Sequence, residues 1–281
     1  MSILEVSGLR KEYPSFVLDD ISFSLAEGKI TGFIGRNGAG KSTTLKSILG
    51  FCHPDGGEVR FFGRPFREDE RAVKEDIGYI SGGFDFYPNK KLKTITAVAR
   101  SFYTQWDDEE YHRCLSLFAL DENKTPAKLS AGMKVKYALT LALSHRAKLL
   151  ILDEPTSGLD PVSRDELTEI FLDLKSRGTT VLFSTHIISD LEQCADRILY
   201  IRDGKLLADE DLGSFRESWY LGKMTAEEYR ENGDAPFLGV REREGICTAL
   251  IQKNRAENLR GEFVPADLET VMVYLEREGR A

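Results

Sequence analysis

Leu149-Leu150-Ile151-Leu152 is an unbroken apolar run that ends on Asp153 and Glu154 and closes with a turn holding Pro155 and Gly158. Four aliphatics bounded by turn residues predict a fully buried strand in a parallel sheet, and such sheets carry their sites at the C-terminal ends of the strands. Thr180 to Phe183 and Ile198 to Ile201 predict further core strands. Near the N-terminus the pattern differs. Ile3 to Val6, Val17-Leu18 and Ile21 to Leu25 read as short strands, the last with clean alternation, and Gly56 to Gly63 as another between turns; together they predict an antiparallel layer. From Thr94 to Leu120 the period becomes helical, with Asp107 to Glu110 placed to start a helix against its dipole. A second helix is predicted after Leu129-Ser130-Ala131-Gly132, with Val135, Ala138, Leu139 and Ala142 as its buried stripe. Beyond about residue 205 the signal weakens into acidic helical pieces, an alternating stretch Ile246 to Ile251, and a final helix with Leu268, Val271, Met272 and Leu275 on one face. That region reads as a small appended α/β unit whose final stripe is either packing or a docking face.

The apolar segment Ile30 to Ile34 leads into Gly35-Arg36-Asn37-Gly38-Ala39-Gly40-Lys41-Ser42, a full G-x-x-x-x-G-K-S, followed by Thr43, Thr44 and a helical pattern ending near Gly50. The context is strand, loop, helix. Glycines let backbone wrap closely around phosphate, free N–H groups and the helix N-terminus supply positive potential, and Lys41 adds a full charge at the β- and γ-phosphates. Ser42 offers a hydroxyl ligand to Mg²⁺. With a phosphate loop in the chain, Asp153 becomes the Mg²⁺-side carboxylate, since that hard cation prefers oxygen and takes few protein ligands. Glu154 is then free to polarise an attacking water, a general-base role worth about 10²- to 10⁴-fold.

Length and charge narrow the picture further. At 281 residues the chain holds one large domain plus a smaller one, and its net charge of −8 leaves no global basic field for nucleic acid. The Lys90-Lys91-Leu92-Lys93 cluster reads as a short solvated run. Cys52, Cys114, Cys194 and Cys247 are isolated, which points to neither a zinc site nor a disulfide framework and fits a reducing cytosol. No apolar run approaches the roughly 18 residues of a spanning helix, so the chain is expected to be soluble by itself.

The motif set, over roughly residues 1 to 205, resembles the nucleotide-binding subunit of ATP-binding cassette (ABC) transporters. Leu129-Ser130-Ala131-Gly132-Met133 is similar to the family's signature motif, Ser157-Gly158-Leu159-Asp160 to its D-loop, and His186, in Phe183-Ser184-Thr185-His186, to its switch histidine. Tyr13 matches the aromatic that stacks on adenine. The resemblance implies a P-loop NTPase with a RecA-like parallel-sheet core, an N-terminal antiparallel β layer, an inserted helical subdomain at about 84–145, and a small C-terminal α/β extension over 206–281. It implies ATP held by Tyr13, Gly35, Arg36, Asn37, Gly38, Ala39, Gly40, Lys41, Ser42 and Thr43, with Ser42 and Asp153 on Mg²⁺. Lys41, Glu154 and His186 are the implied catalytic set, Ser130 and Gly132 serve a second subunit's nucleotide, and Asp160 joins the nucleotide-binding set through a D-loop that contacts the other subunit.

The implied partners are an integral membrane permease and a second ATP-binding subunit, paired as homodimer or heterodimer, at the cytoplasmic face of the membrane. The short cassette with its tail resembles bacterial exporters. Two positions depart from the pattern. Gly82, followed by Gly83, stands where the family has a glutamine or other polar residue, with Ser81 and Asp85 as candidate substitutes; the signature ends in Met133 and Lys134. Both departures bear on coupling to the permease more than on hydrolysis. Three other readings stay open: a soluble ABC-type ATPase acting on ribosomes or nucleic acid, which would need tandem cassettes, a coiled coil or a basic arm; a low-turnover ATP-binding regulator; and a GTP switch hinted at by Asn123-Lys124-Thr125-Pro126, which lacks the expected aspartate.

Overall fold

Buried at all five positions, Leu149–Asp153 lies between two parallel neighbours in a six-stranded sheet. The computed structural model describes residues 2–81 and 87–277, and the chain divides between Asp209 and Glu210 into two units. The first unit begins β1 (Ser2–Tyr13), β2 (Phe16–Ala26), β3 (Ile30–Ile34), α1 (Lys41–Ile48), β4 (Gly56–Phe61), β5 (Arg64–Pro65), α2 (Glu70–Glu75) and β6 (Ile77–Ser81). It continues α3 (Leu92–Arg100), α4 (Asp108–Leu117), α5 (Ala131–Ser144), β7 (Leu149–Asp153), α6 (Pro161–Ser176), β8 (Thr180–Thr185), α7 (Ile188–Cys194) and β9 (Arg197–Arg202), and the unit boundary falls near the end of β10 (Lys205–Asp211).

The core sheet has the order β10-β9-β3-β8-β7-β6, with β3 parallel to β8 and β9, and β7 parallel to β8 and β6. β3, β7 and β8 are buried along their whole length, as sheets covered on both faces require. Register does the rest. Ile34 lies opposite Thr185, and Asp153 opposite Ser184, so the phosphate loop, both carboxylates and His186 all leave the sheet at one edge. This is the parallel-sheet P-loop core that the sequence predicts. β6 was not legible in the sequence, because Gly78 and Tyr79 interrupt its apolar run.

Beside this core stands an antiparallel sheet of order β2-β1-β4-β5. Two expectations change here. Val17-Leu18 and Ile21 to Leu25 belong to one strand, and β1 runs on from Val6 to Tyr13. Gly8, at φ +60°, and Asp20, at φ +52°, resemble strand breaks in the sequence, yet register shifts between Val6 and Leu9 and between Leu9 and Lys11 absorb the irregularity as bulges. The extended β1 is what brings Tyr13 to the end of this layer.

The helices α3, α4 and α5 follow β6. Asp107 caps α4 by accepting from the amides of Glu109 and Glu110, as its acidic start predicts. Thr96 joins the three helices through hydroxyl contacts to Tyr111 at 3.0 Å and Tyr137 at 2.8 Å, and Tyr137 donates to the Leu92 carbonyl at 3.0 Å. Gly82, Gly83 and Asp85, together with residues 84–86 of the expected helical subdomain, lie outside the described residues.

The second unit contains α8 (Leu212–Glu217), β11 (Trp219–Thr225), α9 (Ala226–Glu231), β12 (Leu238–Arg243), β13 (Ile246–Gln252), β14 (Glu262–Pro265) and α10 (Leu268–Leu275). Its antiparallel sheet has the order β12-β13-β11-β14. Leu268, Val271, Met272 and Leu275 are buried where α10 packs on β12 and β13, and Tyr274 bonds Thr248 at 2.7 Å. The final stripe is therefore packing within its own unit. Among the described residues, no helix is long and apolar enough to cross a membrane.

Candidate active site

The loop after β3 turns tightly enough for the Ala39 amide to reach the Arg36 carbonyl at 3.1 Å. Gly40 then enters α1 at φ +117°, a conformation that a side chain would strain. Arg36, Asn37 and Gly38 are exposed, whereas Gly35, Ala39, Gly40 and Lys41 are buried; Ser42 and Thr43 are half-buried in the first turn of α1. The Lys41 ammonium, only 5% exposed, donates to the Gly35 carbonyl at 2.6 Å and the Arg36 carbonyl at 3.3 Å, and pairs with Glu154 Oε1 at 3.1 Å.

The two acidic residues differ in their partners. Asp153 Oδ1 accepts from the Ser42 hydroxyl at 2.9 Å and from the Ser184 hydroxyl at 2.7 Å. Glu154 sits at φ +53°, a left-handed conformation costing roughly 1–2 kcal/mol in a residue with a Cβ. Its amide donates to Ser184 Oγ at 2.9 Å, and its Oε2 meets His186 Nδ1 at 2.7 Å. A carboxylate only accepts, so that Nδ1 carries the hydrogen. Tyr79 borders this group: burial, and then the Asp153 charge, push its hydroxyl up to about 12, so it stays protonated at neutral pH.

Lys41, Ser42, Asp153, Glu154 and His186 thus come together from the start of α1 and the ends of β7 and β8. Tyr13, Ser130, Gly132 and Asp160 do not join them. Ser130 caps α5 by accepting from the Met133 amide at 3.2 Å, and Asp160 caps α6 by accepting from the Ser163 amide at 3.0 Å and its hydroxyl at 2.6 Å. That hydroxyl, first among its partners, holds the Asp160 carboxyl below the usual carboxylate range. Gly132 faces Ser163, whose Cβ and Oγ a Cβ on Gly132 would meet at 3.4 Å, an ordinary contact. Tyr13 is 39% exposed, and its hydroxyl lies 2.9 Å from Cys52 Sγ. Ser184 is the residue that sequence reasoning missed; its one signal was a polar side chain at the end of an otherwise apolar strand.

The strand, loop and helix with these carboxylates match known proteins. The family model described as "ABC transporter" matches residues 18–157. The bacitracin transport ATP-binding protein BcrA of Bacillus licheniformis is 34% identical over 212 residues, 74% of this chain and 69% of that one. The chain belongs to the ATP-binding subunits of ABC transporters. The Nod factor export ATP-binding protein I of Burkholderia orbicola (strain AU 1054) is also 34% identical, over 73% of this chain and 70% of its own length. A solved ATP-binding subunit of an ABC transporter superposes with a TM-score of 0.69 at 31% identity, covering 76% of this chain and 92% of that one. As an ABC subunit, the protein binds ATP, and its enzymatic activity is ATP hydrolysis in the service of transport.

Proposed function

We propose that two such subunits close head to tail around two Mg-ATP molecules and drive a permease that exports its substrate, with the ATPase held at the cytoplasmic face of the membrane. The observation that carries the reading is the convergence of Lys41, Ser42, Asp153, Glu154 and His186 at one sheet edge. Lys41 and the loop amides from Gly35 to Thr43 bind the phosphates, and Tyr13 offers a ring to adenine. Ser130, Gly132 and Asp160 complete the second subunit's site. Residues 1–205 form the cassette in this reading and 206–281 the extension.

The donor set suits Mg²⁺. The Ser42 hydroxyl and the Asp153 carboxylate are hard oxygens already 2.9 Å apart, and no cluster of three or more His, Cys, Asp or Glu among the described residues offers a different cage. When bound, the ion offsets charge on the phosphates. Glu154, beside that pair, takes the proton of the attacking water, and His186 orients Glu154 through Nδ1. Support for a permease partner comes from a cavity of about 520 Å³ lined by Tyr79, Tyr103, Leu141 and Phe51, the last 58% exposed. Export as the direction rests on the relatives named for transport of bacitracin and export of Nod factor.

Glu154→Gln tests the reading. Phosphate release should fall by about 10²- to 10⁴-fold while ATP binding, measured by equilibrium dialysis, persists. Parental turnover in that variant would overturn the assignment of Glu154.

A further inference from the structure

Ser184 is fully buried on β8, yet its side chain touches both acidic residues of the site. Its hydroxyl donates to Asp153 Oδ1 at 2.7 Å and accepts the amide hydrogen of Glu154 at 2.9 Å. A serine hydroxyl has one hydrogen and two lone pairs, so both bonds form at once. Register explains the reach, because Ser184 stands opposite Asp153 on the adjacent parallel strand and both side chains leave the sheet on one face. Glu154 needs this help. At φ +53° it occupies a region that persists only where surrounding bonds over-determine it, and its amide has Ser184 Oγ as acceptor. Asp153 Oδ1 has two donors, Ser42 and Ser184; Ser42 is the one this reading assigns to the metal, which leaves Ser184 as the donor that orients the carboxylate.

A bland alternative is a buried serine that merely satisfies two polar groups at a strand end. It would predict a general loss of stability on truncation, with substrate binding and rate falling together. The geometry points to something narrower. We infer that Ser184 is a positioning residue whose single hydroxyl ties the metal-side carboxylate of Asp153 to the backbone amide from which the water-activating side chain of Glu154 leaves. The inference rests on the proposed roles of those two residues. Lys41 bonds the Gly35 and Arg36 carbonyls and Glu154 rather than Ser184, so the cation at the phosphates makes no direct bond to this hydroxyl.

The test is Ser184→Ala in the full 281-residue chain. Turnover should fall by about 10- to 100-fold, and the Mg²⁺ concentration giving half the maximal rate should rise several-fold, with KM for ATP within about twofold of the parent. Mn²⁺ titration in the presence of ADP, read by electron paramagnetic resonance, should show weakened binding without any turnover. Ser184→Cys keeps a donor at the same place, though a weaker one on a larger atom, so it should fall between parent and Ser184→Ala; it decides the matter if the alanine variant fails to fold. Parental turnover and metal dependence in Ser184→Ala would overturn the inference, and so would ATP affinity falling in step with the rate. Glu154→Gln assayed alongside separates two failures. Parental turnover there topples the reading of Glu154, whereas an inactive Glu154→Gln beside a parental Ser184→Ala topples only the positioning role.

Discussion

Around Lys41, side chains from distant parts of the chain bond to one another, whereas around Ser130 and Asp160 the side-chain bonds return to the first turn of the residue's own helix. Lys41 reaches Glu154, Glu154 reaches His186, and Ser42 and Ser184 both reach Asp153. Ser130 and Asp160, by contrast, only cap α5 and α6. The first group is wired within one chain; the second is presented by it. Helix N-termini are ready anion sites, and in the proposed dimer another copy's phosphate would meet these two. The contrast is the one that the proposed site shared between two copies requires.

The sharpest way to break this contrast, after Glu154→Gln, is Gly132→Ala. A methyl there makes only ordinary contact with Ser163 in its own chain, and Gly→Ala near a helix start favours the helix by up to about 1 kcal/mol. Melting temperature should hold or rise and ATP binding by the single chain should stay, while turnover falls by about 10-fold or more, since the added methyl would hold the partner's phosphate away from the helix amides and a charge-assisted bond is worth about 1.5–3 kcal/mol. Turnover equal to the parent would show that the presented half is not used. A smaller effect is expected at the edge of the wired half: Tyr13→Ala should weaken ATP about 2- to 10-fold, from a stacking worth about 0.5–1.5 kcal/mol, and should leave the maximal rate alone. Titration calorimetry with ATP and with triphosphate alone separates base from phosphate.

The smallest effect is a pH dependence in α5, the helix that presents Ser130 and Gly132. His145, at its C-terminal end, stacks on Tyr103 at 3.8 Å and lies 3.0 Å from the Glu75 carbonyl through Nδ1. Burial, the main cause, holds its imidazole below the usual 6.5. As pH falls the unfolded chain takes up this proton first, so the stability it supports is complete above 6.5 and is lost as pH drops from there through the folded value. Melting temperature should decline over that window by about 1–3 °C, and His145→Gln should flatten the slope. An unchanged slope in His145→Gln would assign the decline to other groups.

Most of the wired half was legible in the sequence, because each part of it follows a local rule. A G-x-x-x-x-G-K-S after an apolar strand, and two carboxylates ending another, carry their own context. Ser184 was not legible, because its meaning depends on standing opposite Asp153, a register that no local pattern reveals. β6 hid behind Gly78 and Tyr79, and β11 to β14 mostly escaped notice because Gly222 and Lys223 interrupt β11 while β14 spans only four residues. The caps at Asp107 and Ser130 were readable for the opposite reason, since a cap is a short-range event.

The strand order of the core sheet also sets a clock on the newborn chain. β3, which delivers the phosphate loop, is flanked by β8 and β9, and Ile30 lies opposite Val181, 151 positions later (181 less 30). At about 5–20 residues per second, roughly 8–30 s of synthesis pass before the first of those partners exists. During that interval an apolar strand and its glycine-rich loop have no sheet to join, while β1 and β2 can already pair as neighbours. The carboxylates on β7 and the β8 strand that complete the site thus join the phosphate loop only late in synthesis, and until then β3 is an apolar segment that a chaperone could shield.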